Sequence, residues 1–235
     1  MIYKTIKVFL LSSLFLGTTL LALDLKETNY TLKKEGLKIT YIDENDDTKT
    51  IMIKRRPDQI CSKVNGGDPD VIWGGDYANK SVPAPCKKTF VTTMGMISPI
   101  KIAKGIETYG EMEVLDFIKK SQKDENLILV DARMHGWYKK GTIPTSINLP
   151  FKSFNPKHQD FEIVMDRAGV EYEEDKYDFS NAKTLLIYCN GTWCPQSGWA
   201  IKNLLKIGYP KEKLLWYRGG MYGWKSINLT TTIPQ

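Results

Sequence analysis

The chain has 235 residues, 42% hydrophobic and 26% charged. This balance excludes wholesale disorder and suits one large domain or two small ones. The formal charge is +6 and its basic residues are dispersed, which argues against nucleic acid as a partner.

The first segment reads as an export signal. Lys4 and Lys7 precede an apolar stretch from Val8 to Ala22, after which Asp24, Lys26 and Glu27 follow. This is the layout of a secretory signal peptide over residues 1–22, cut after Ala22. Leu20 is a poor residue three positions before the cut, so a retained anchor is the alternative. The stretch is short for a spanning helix. The expected location is therefore periplasmic or otherwise exported, with no stable membrane span after cleavage.

Residues 23–97 form one compositional zone, a β- and loop-rich N-terminal region. Leu37, Ile39 and Tyr41 alternate with polar residues, Asp43 to Asp47 supply a turn, and Ile51 and Ile53 alternate again. This predicts a hairpin. The stretch that follows is rich in Gly, Pro, Asp and Asn, and Trp73, Gly74, Gly75 and Tyr77 read as turn glycines and small-core aromatics. Cys61 and Cys86 flank this stretch and are expected to form a structural disulfide. Such a bridge would close a loop of about 25 residues and stabilise by roughly 3 kcal/mol. The spacing of the four cysteines does not fit zinc, and no metal is expected.

From residue 98 to 235 the pattern changes. TYGEMEVLDFIKKS predicts a helix with Thr108 and Glu111 as its capping box and Met112, Leu115, Phe117 and Ile118 as its apolar stripe. LILVD, Leu127 to Asp131, reads as a strand buried on both faces, and TLLIYC, Thr184 to Cys189, as a second. SGWAIKNLLKIG is a helix with Gly208 at its end. KLLWYRGG, Lys213 to Gly220, is a third strand. Strands alternating with helices predict an α/β domain with a mostly parallel central sheet flanked by helices. In such sheets ligands bind beyond the carboxyl ends of the strands, where Cys189 stands.

Three ordered motifs resemble the rhodanese-like domain family. They are LILVDARMHGWYKKGTIP, with Asp131, Arg133, Gly141, Ile143 and Pro144 matching and Thr142 in place of the usual histidine; LLIYCNGTWCPQSGW; and LLWYRGGMYGW, with Gly219, Gly220 and Trp224 matching. The resemblance implies a sulfurtransferase that needs no cofactor and carries sulfane sulfur as a persulfide on Cys189. Its partners would be a small sulfur-containing anion as donor, of the thiosulfate or polysulfide class, and a thiol or protein as sulfur acceptor. The loop that would cradle the sulfur is Asn190, Gly191, Thr192, Trp193, Cys194, Pro195, Gln196 and Ser197. It leads into a helix N-terminus, which lowers a thiol pKa.

The loop departs from the family in two ways. It is about two residues longer than the usual sulfurtransferase loop, and it contains no Lys or Arg. Arg218, Arg133 and His135 are the candidates to bind substrate from outside it. The phosphatase relatives need an arginine six positions after the cysteine; that position is Pro195, which argues against phosphate hydrolysis. Cys194 has three readings: a thiol that resolves a persulfide, a disulfide partner of Cys189, or a bystander. An exposed Trp193 at the loop tip would suit partner contact, and Trp199 is expected in the core. The leading expectation is an exported sulfurtransferase. The rivals are a non-catalytic rhodanese-like binding module and thiol–disulfide exchange by Cys189 and Cys194.

Overall fold

In the computed structural model, which describes residues 35–43, 45–54, 97–173 and 175–234, the N-terminal hairpin forms where alternation placed it. Strands β1 (Leu37–Ile42) and β2 (Thr48–Ile53) pair antiparallel, Ile39 opposite Ile51. The Asp43 carboxylate closes the turn by accepting the backbone N–H groups of Asn45 at 2.9 Å and Asp47 at 3.0 Å, the usual turn chemistry of aspartate. The expected signal peptide, the Cys61–Cys86 bridge, and Trp73, Gly74, Gly75 and Tyr77 lie outside the described residues. Among the described residues no helix is long and apolar enough to cross a membrane.

The rest is an α/β domain. The chain runs through β3 (Glu107–Tyr109), α1 (Glu111–Ser121), β4 (Leu127–Asp131), α2 (His135–Tyr138), β5 (Ile147–Asn148) and α3 (Phe161–Arg167). It continues through a small hairpin, β6 (Glu171–Glu173) and β7 (Lys176–Asp178), to β8 (Thr184–Tyr188), α4 (Gln196–Lys206), β9 (Leu214–Tyr217) and α5 (Gly220–Ser226). The central sheet has the order β3-β9-β8-β4-β5 with every pair parallel.

Alternation sorts each strand between two cores. Leu185 and Ile187 of β8, Val130 of β4, and Leu214 and Trp216 of β9 face α3 and α4, meeting Val164, Ala200, Ile201 and Leu204. Leu186 and Tyr188, Leu129, and Leu215 and Tyr217 face the other way, meeting Val114, Phe117 and Ile118 of α1 and Trp224 of α5. This explains the continuous apolar runs: every position of such a strand enters one core or the other. Leu37, Ile39 and Ile53 of the hairpin join the α1 and α5 side. The C-terminal tail ties the two together, for the Thr230 N–H donates to the Lys54 carbonyl at 3.1 Å and Thr142 and Thr232 exchange backbone bonds of 2.8 and 3.0 Å.

Several boundaries differ from expectation. Thr108 caps no helix; it lies in β3, and its hydroxyl donates to the Ile100 carbonyl. The helix begins two residues later, with Gly110 at its N-cap and the Glu113 carboxylate accepting the Gly110 N–H at 3.0 Å. Pairing of β3 with β9 keeps Thr108 extended, so the tertiary partner overrides a local capping signal. Val114, absent from the expected stripe, is fully buried, and Met112 is only half-buried. The second strand stops at Tyr188 and the third at Tyr217, which leaves Cys189 and Arg218 just past two adjacent strand ends.

Candidate active site

Register brings the site together. Asp131, Tyr188 and Tyr217 stand side by side at the carboxyl edge of the sheet, so the residues after them emerge next to one another. Cys189 leaves β8 there and is 98% buried, with 2% exposure. Its sulfur is not a free thiol. It is bonded to Sγ of Cys194, five residues on, across a Cα–Cα distance of 6.2 Å. The bond fits two of the three readings of Cys194, the disulfide partner and the resolving thiol, whose attack on a persulfide also leaves a disulfide, and it does not fit a bystander; Cys194 is itself 6% exposed. Oxidised in this way, Cys189 cannot attack a sulfur donor until the bond is opened.

The loop is fixed from both ends. The N–H groups of Met221 and Tyr222, in the first turn of α5, donate to the carbonyls of Cys189 at 3.0 Å and Asn190 at 2.8 Å. Gly220 makes this approach, at φ +57°, where a Cβ would lie 2.4 Å from the Cys189 oxygen. Only glycine combines that left-handed φ with that contact. At the loop tip, the Cys194 N–H donates to the Gly191 carbonyl at 2.9 Å. Trp193 is half-buried, lying over Gly191 and edge-on to Tyr222 at 5.1 Å.

Helix α4 starts behind the second cysteine. Pro195 is its N-cap, and the buried Ser197 hydroxyl accepts the Trp216 indole N–H at 3.0 Å, pinning the helix start to β9. The Gln196 side-chain oxygen lies 3.3 Å from Sγ of Cys189 and 3.7 Å from Sγ of Cys194. A neutral amide thus touches both sulfurs, and in the dithiol form it can accept a hydrogen bond from either.

The three candidate cations have different fates. Arg133 is 3% exposed, and its Nε and Nη2 bind both oxygens of Asp131 at 2.6–3.1 Å while Nη2 also reaches the Gly141 carbonyl at 2.6 Å. Its charge is neutralised inside the fold, which removes it as a substrate ligand. His135 is exposed at the start of α2, with Nδ1 3.2 Å from Asn148 of the edge strand β5, on the far side of β4 from β8. Arg218 does adjoin the loop. Its Nε and Nη2 donate to the Ser98 carbonyl at 3.0 and 2.8 Å, and the Ser98 N–H donates to the Thr192 carbonyl at 2.7 Å. Arg218 is therefore coupled to the loop through Ser98, which sequence reasoning did not single out.

Beneath Cys189 lies a buried polar network. The Tyr188 hydroxyl meets Thr142 at 2.7 Å, Ser146 at 2.8 Å and Asp131 at 3.1 Å, and the Thr142 hydroxyl donates to Asp131 at 2.8 Å. Burial, and then the Asp131 charge, push the Tyr188 pKa well above its ordinary value, so it remains a neutral donor. Thr142 thus closes a network that fixes the end of β8.

Trp199 corrects another expectation. It is 38% exposed and packs tilted on Phe151 at 5.4 Å, beside a groove also lined by Lys152, Lys202 and Lys206. Among the described residues no group of three or more His, Cys, Asp and Glu side chains is gathered for a metal.

Residues 114–227 match the family described as the rhodanese-like domain. No curated protein matches the chain. Among solved structures, it is similar to a Bacillus halodurans protein at 24% identity and TM-score 0.40, covering 54% of this chain and 76% of that one. An uncharacterized Saccharomyces cerevisiae protein is similar at 28% identity and TM-score 0.38, covering 52% and 92%. A Rhodopseudomonas palustris protein of unknown function, described as a possible tyrosine phosphatase, is similar at 19% identity and TM-score 0.38, covering 53% and 83%.

Proposed function

Residues 114–227 form a rhodanese-like domain, and on that framework we propose that the protein is a thiol–disulfide redox protein whose exchanging pair is Cys189 and Cys194. The observation that carries this reading is the bond between them, with Cys189 just past the end of β8. Exchange proceeds by attack of a thiolate on one sulfur and departure of the other. The two sulfurs share one environment before the N-terminus of α4, with the Gln196 side-chain oxygen 3.3 Å from Cys189 and 3.7 Å from Cys194, and the positive end of the helix favours a thiolate there. An exported setting, the reading of residues 1–22, would keep the bond formed in the resting protein.

The test is a redox titration against mixtures of reduced and oxidised dithiothreitol, with the Cys189 and Cys194 peptides mapped by mass spectrometry. A reversible two-electron transition confined to this pair is expected. Cysteines that stay reduced under oxidising mixtures, or a bond that no dithiol opens, defeat the reading.

A second reading applies to the dithiol state: sulfurtransfer through a persulfide on Cys189 from an anionic donor. Its support is the place of Cys189 at the end of β8, under a loop anchored at both ends. Reduced protein should then gain one sulfur atom on Cys189 from thiosulfate or polysulfide and lose it to cyanide.

A further inference from the structure

We propose that the closed Cys189–Cys194 bond is itself a substrate-accepting state, and that its substrate is hydrosulfide. The inference rests on the redox reading above and names the nucleophile that the site admits. Hydrosulfide attacks Sγ of Cys189 with its electron pair. A new sulfur–sulfur bond forms there, and the bond to Cys194 breaks with its pair leaving on Sγ of Cys194. The sulfide sulfur is oxidised to the persulfide level and the Cys194 sulfur is reduced to a thiolate, so the disulfide is the oxidant. The hydrosulfide proton remains on the terminal sulfur or passes to water.

Burial sets the size of the nucleophile. The two cysteines are only 2% and 6% exposed. Trp193 and Tyr222 pack edge-on beside the loop, and Ser98 is bonded across it to Thr192. A thiol carried on a peptide must bring its backbone up to residues buried this deeply, whereas hydrosulfide is a single heavy atom.

Charge and leaving-group chemistry set the direction. From Asn190 to Ser197 the loop carries no charged side chain, and the group against both sulfurs is the neutral Gln196 amide. An incoming anion therefore meets no carboxylate there. Cys189 follows a strand and its carbonyl accepts the Met221 N–H, whereas Cys194 lies in the loop two positions before an eleven-residue helix. With the positive helix end able to take up the charge on the departing Cys194 sulfur, the sulfane sulfur is left on Cys189 at the strand-end position.

The experiment uses the oxidised full chain without oxygen, treated with sodium sulfide near one equivalent. Samples are quenched with an alkylating reagent and mapped by mass spectrometry, with dithiothreitol and glutathione run in parallel. One added sulfur on Cys189 together with one alkylated Cys194 is expected, at a rate per thiolate about tenfold or more above that of glutathione. Cys194→Ser should gain nothing from sulfide, and a urea midpoint matching that of the reduced wild type shows that its fold survives. A bond that dithiothreitol opens but sulfide leaves closed overturns this proposal and spares the redox reading. A bond that neither opens defeats both. Sulfur found on Cys194, or equal uptake from sulfide by Cys194→Ser, overturns the assigned direction.

Discussion

The α-carbon of Gly220 stands so close to Cys189 that a methyl group on it would lie 2.4 Å from the Cys189 carbonyl oxygen and 2.7 Å from the Gly191 nitrogen. This contact lets the first turn of α5 donate two backbone hydrogen bonds to the loop. The double glycine of the third motif is thus a backbone docking point for the disulfide loop, and its effect is measurable.

Gly220→Ala should destabilise the protein by about 2 kcal/mol or more, from the left-handed φ and the clash together. Urea denaturation of the oxidised protein measures it. Gly136→Ala is the control, because a Cβ at Gly136 meets nothing within 4 Å. It should change stability by less than about 1 kcal/mol. Equal effects of the two substitutions would remove Gly220 from its docking role.

Arg133→Ala should cost about 3–5 kcal/mol, because it leaves the Asp131 carboxylate buried without its cation. Arg133→Lys should recover only part of the loss. A lysine restores the charge but cannot bind both carboxylate oxygens and the Gly141 carbonyl in one plane. Denaturation midpoints with unchanged slopes would check this. Full rescue by lysine would show that charge alone matters at the site.

Much of this architecture was legible in the sequence, for identifiable reasons. LILVD, TLLIY and LLWY are apolar at nearly every position, which is the pattern of strands covered on both faces, and Cys189 was legible because such a run stops at it. Ser98 was not legible, since its bonds join Thr192 and Arg218, each about a hundred residues away, and no local pattern encodes them. Trp199 is exposed although its residue type favours the core. Its neighbours Ala200, Ile201 and Leu204 fill the core-facing side of α4, and Trp199 falls outside that stripe. Thr108 and Glu111 had capping-box spacing, but β9 holds Thr108 in a strand. The bond between Cys189 and Cys194 was one of three open readings, because a spacing of five permits a disulfide without requiring one.

The two tryptophans should respond very differently to truncation. Trp224 is fully buried between the sheet and the hairpin side, and its indole N–H donates to the Thr230 carbonyl at 2.7 Å. Trp224→Ala should cost about 3–5 kcal/mol. Trp199→Ala should cost about 1 kcal/mol or less, because its ring already meets solvent. Thermal unfolding of both variants separates them. A large loss at Trp199 would mean that the Phe151 contact is structural after all.

Alkaline pH should unfold the protein by a route that runs through its tyrosines. Tyr188, Tyr209 and Tyr217 all have pKa values raised by burial, with Asp131 adding to the effect at Tyr188 and Glu111 at Tyr217. An unfolded tyrosine titrates near pH 10. Above that pH the unfolded chain releases protons that the folded chain retains. The stabilising contribution is therefore complete below about pH 10 and is lost as the pH rises toward the folded values, at about 1.4 kcal/mol per pH unit for each tyrosine. Tyr188→Phe should lower stability at neutral pH, since Thr142 and Ser146 lose a partner, and should also flatten the alkaline slope by one tyrosine's share. Urea titrations from pH 8 upward give both quantities. An unchanged slope would mean that Tyr188 titrates normally in the folded state.

The disulfide should stabilise the fold only modestly, and that follows from its loop. The bridge joins residues five apart, so the unfolded chain loses little freedom when it closes, about 2 kcal/mol in the chain-entropy estimate. Oxidised protein should therefore exceed Cys194→Ser by about that amount in urea denaturation. With reductant present, the wild type and the variant should come within about 0.5 kcal/mol of each other. The backbone bonds from Met221, Tyr222 and Ser98 fix the loop independently of the sulfur–sulfur bond, so the reduced loop should keep its place. By linkage, folding strengthens the bond against reduction by the same amount, about 2 kcal/mol or about 40 mV. A gap well above 4 kcal/mol would instead mark the bridge as a structural staple and count against its role in exchange.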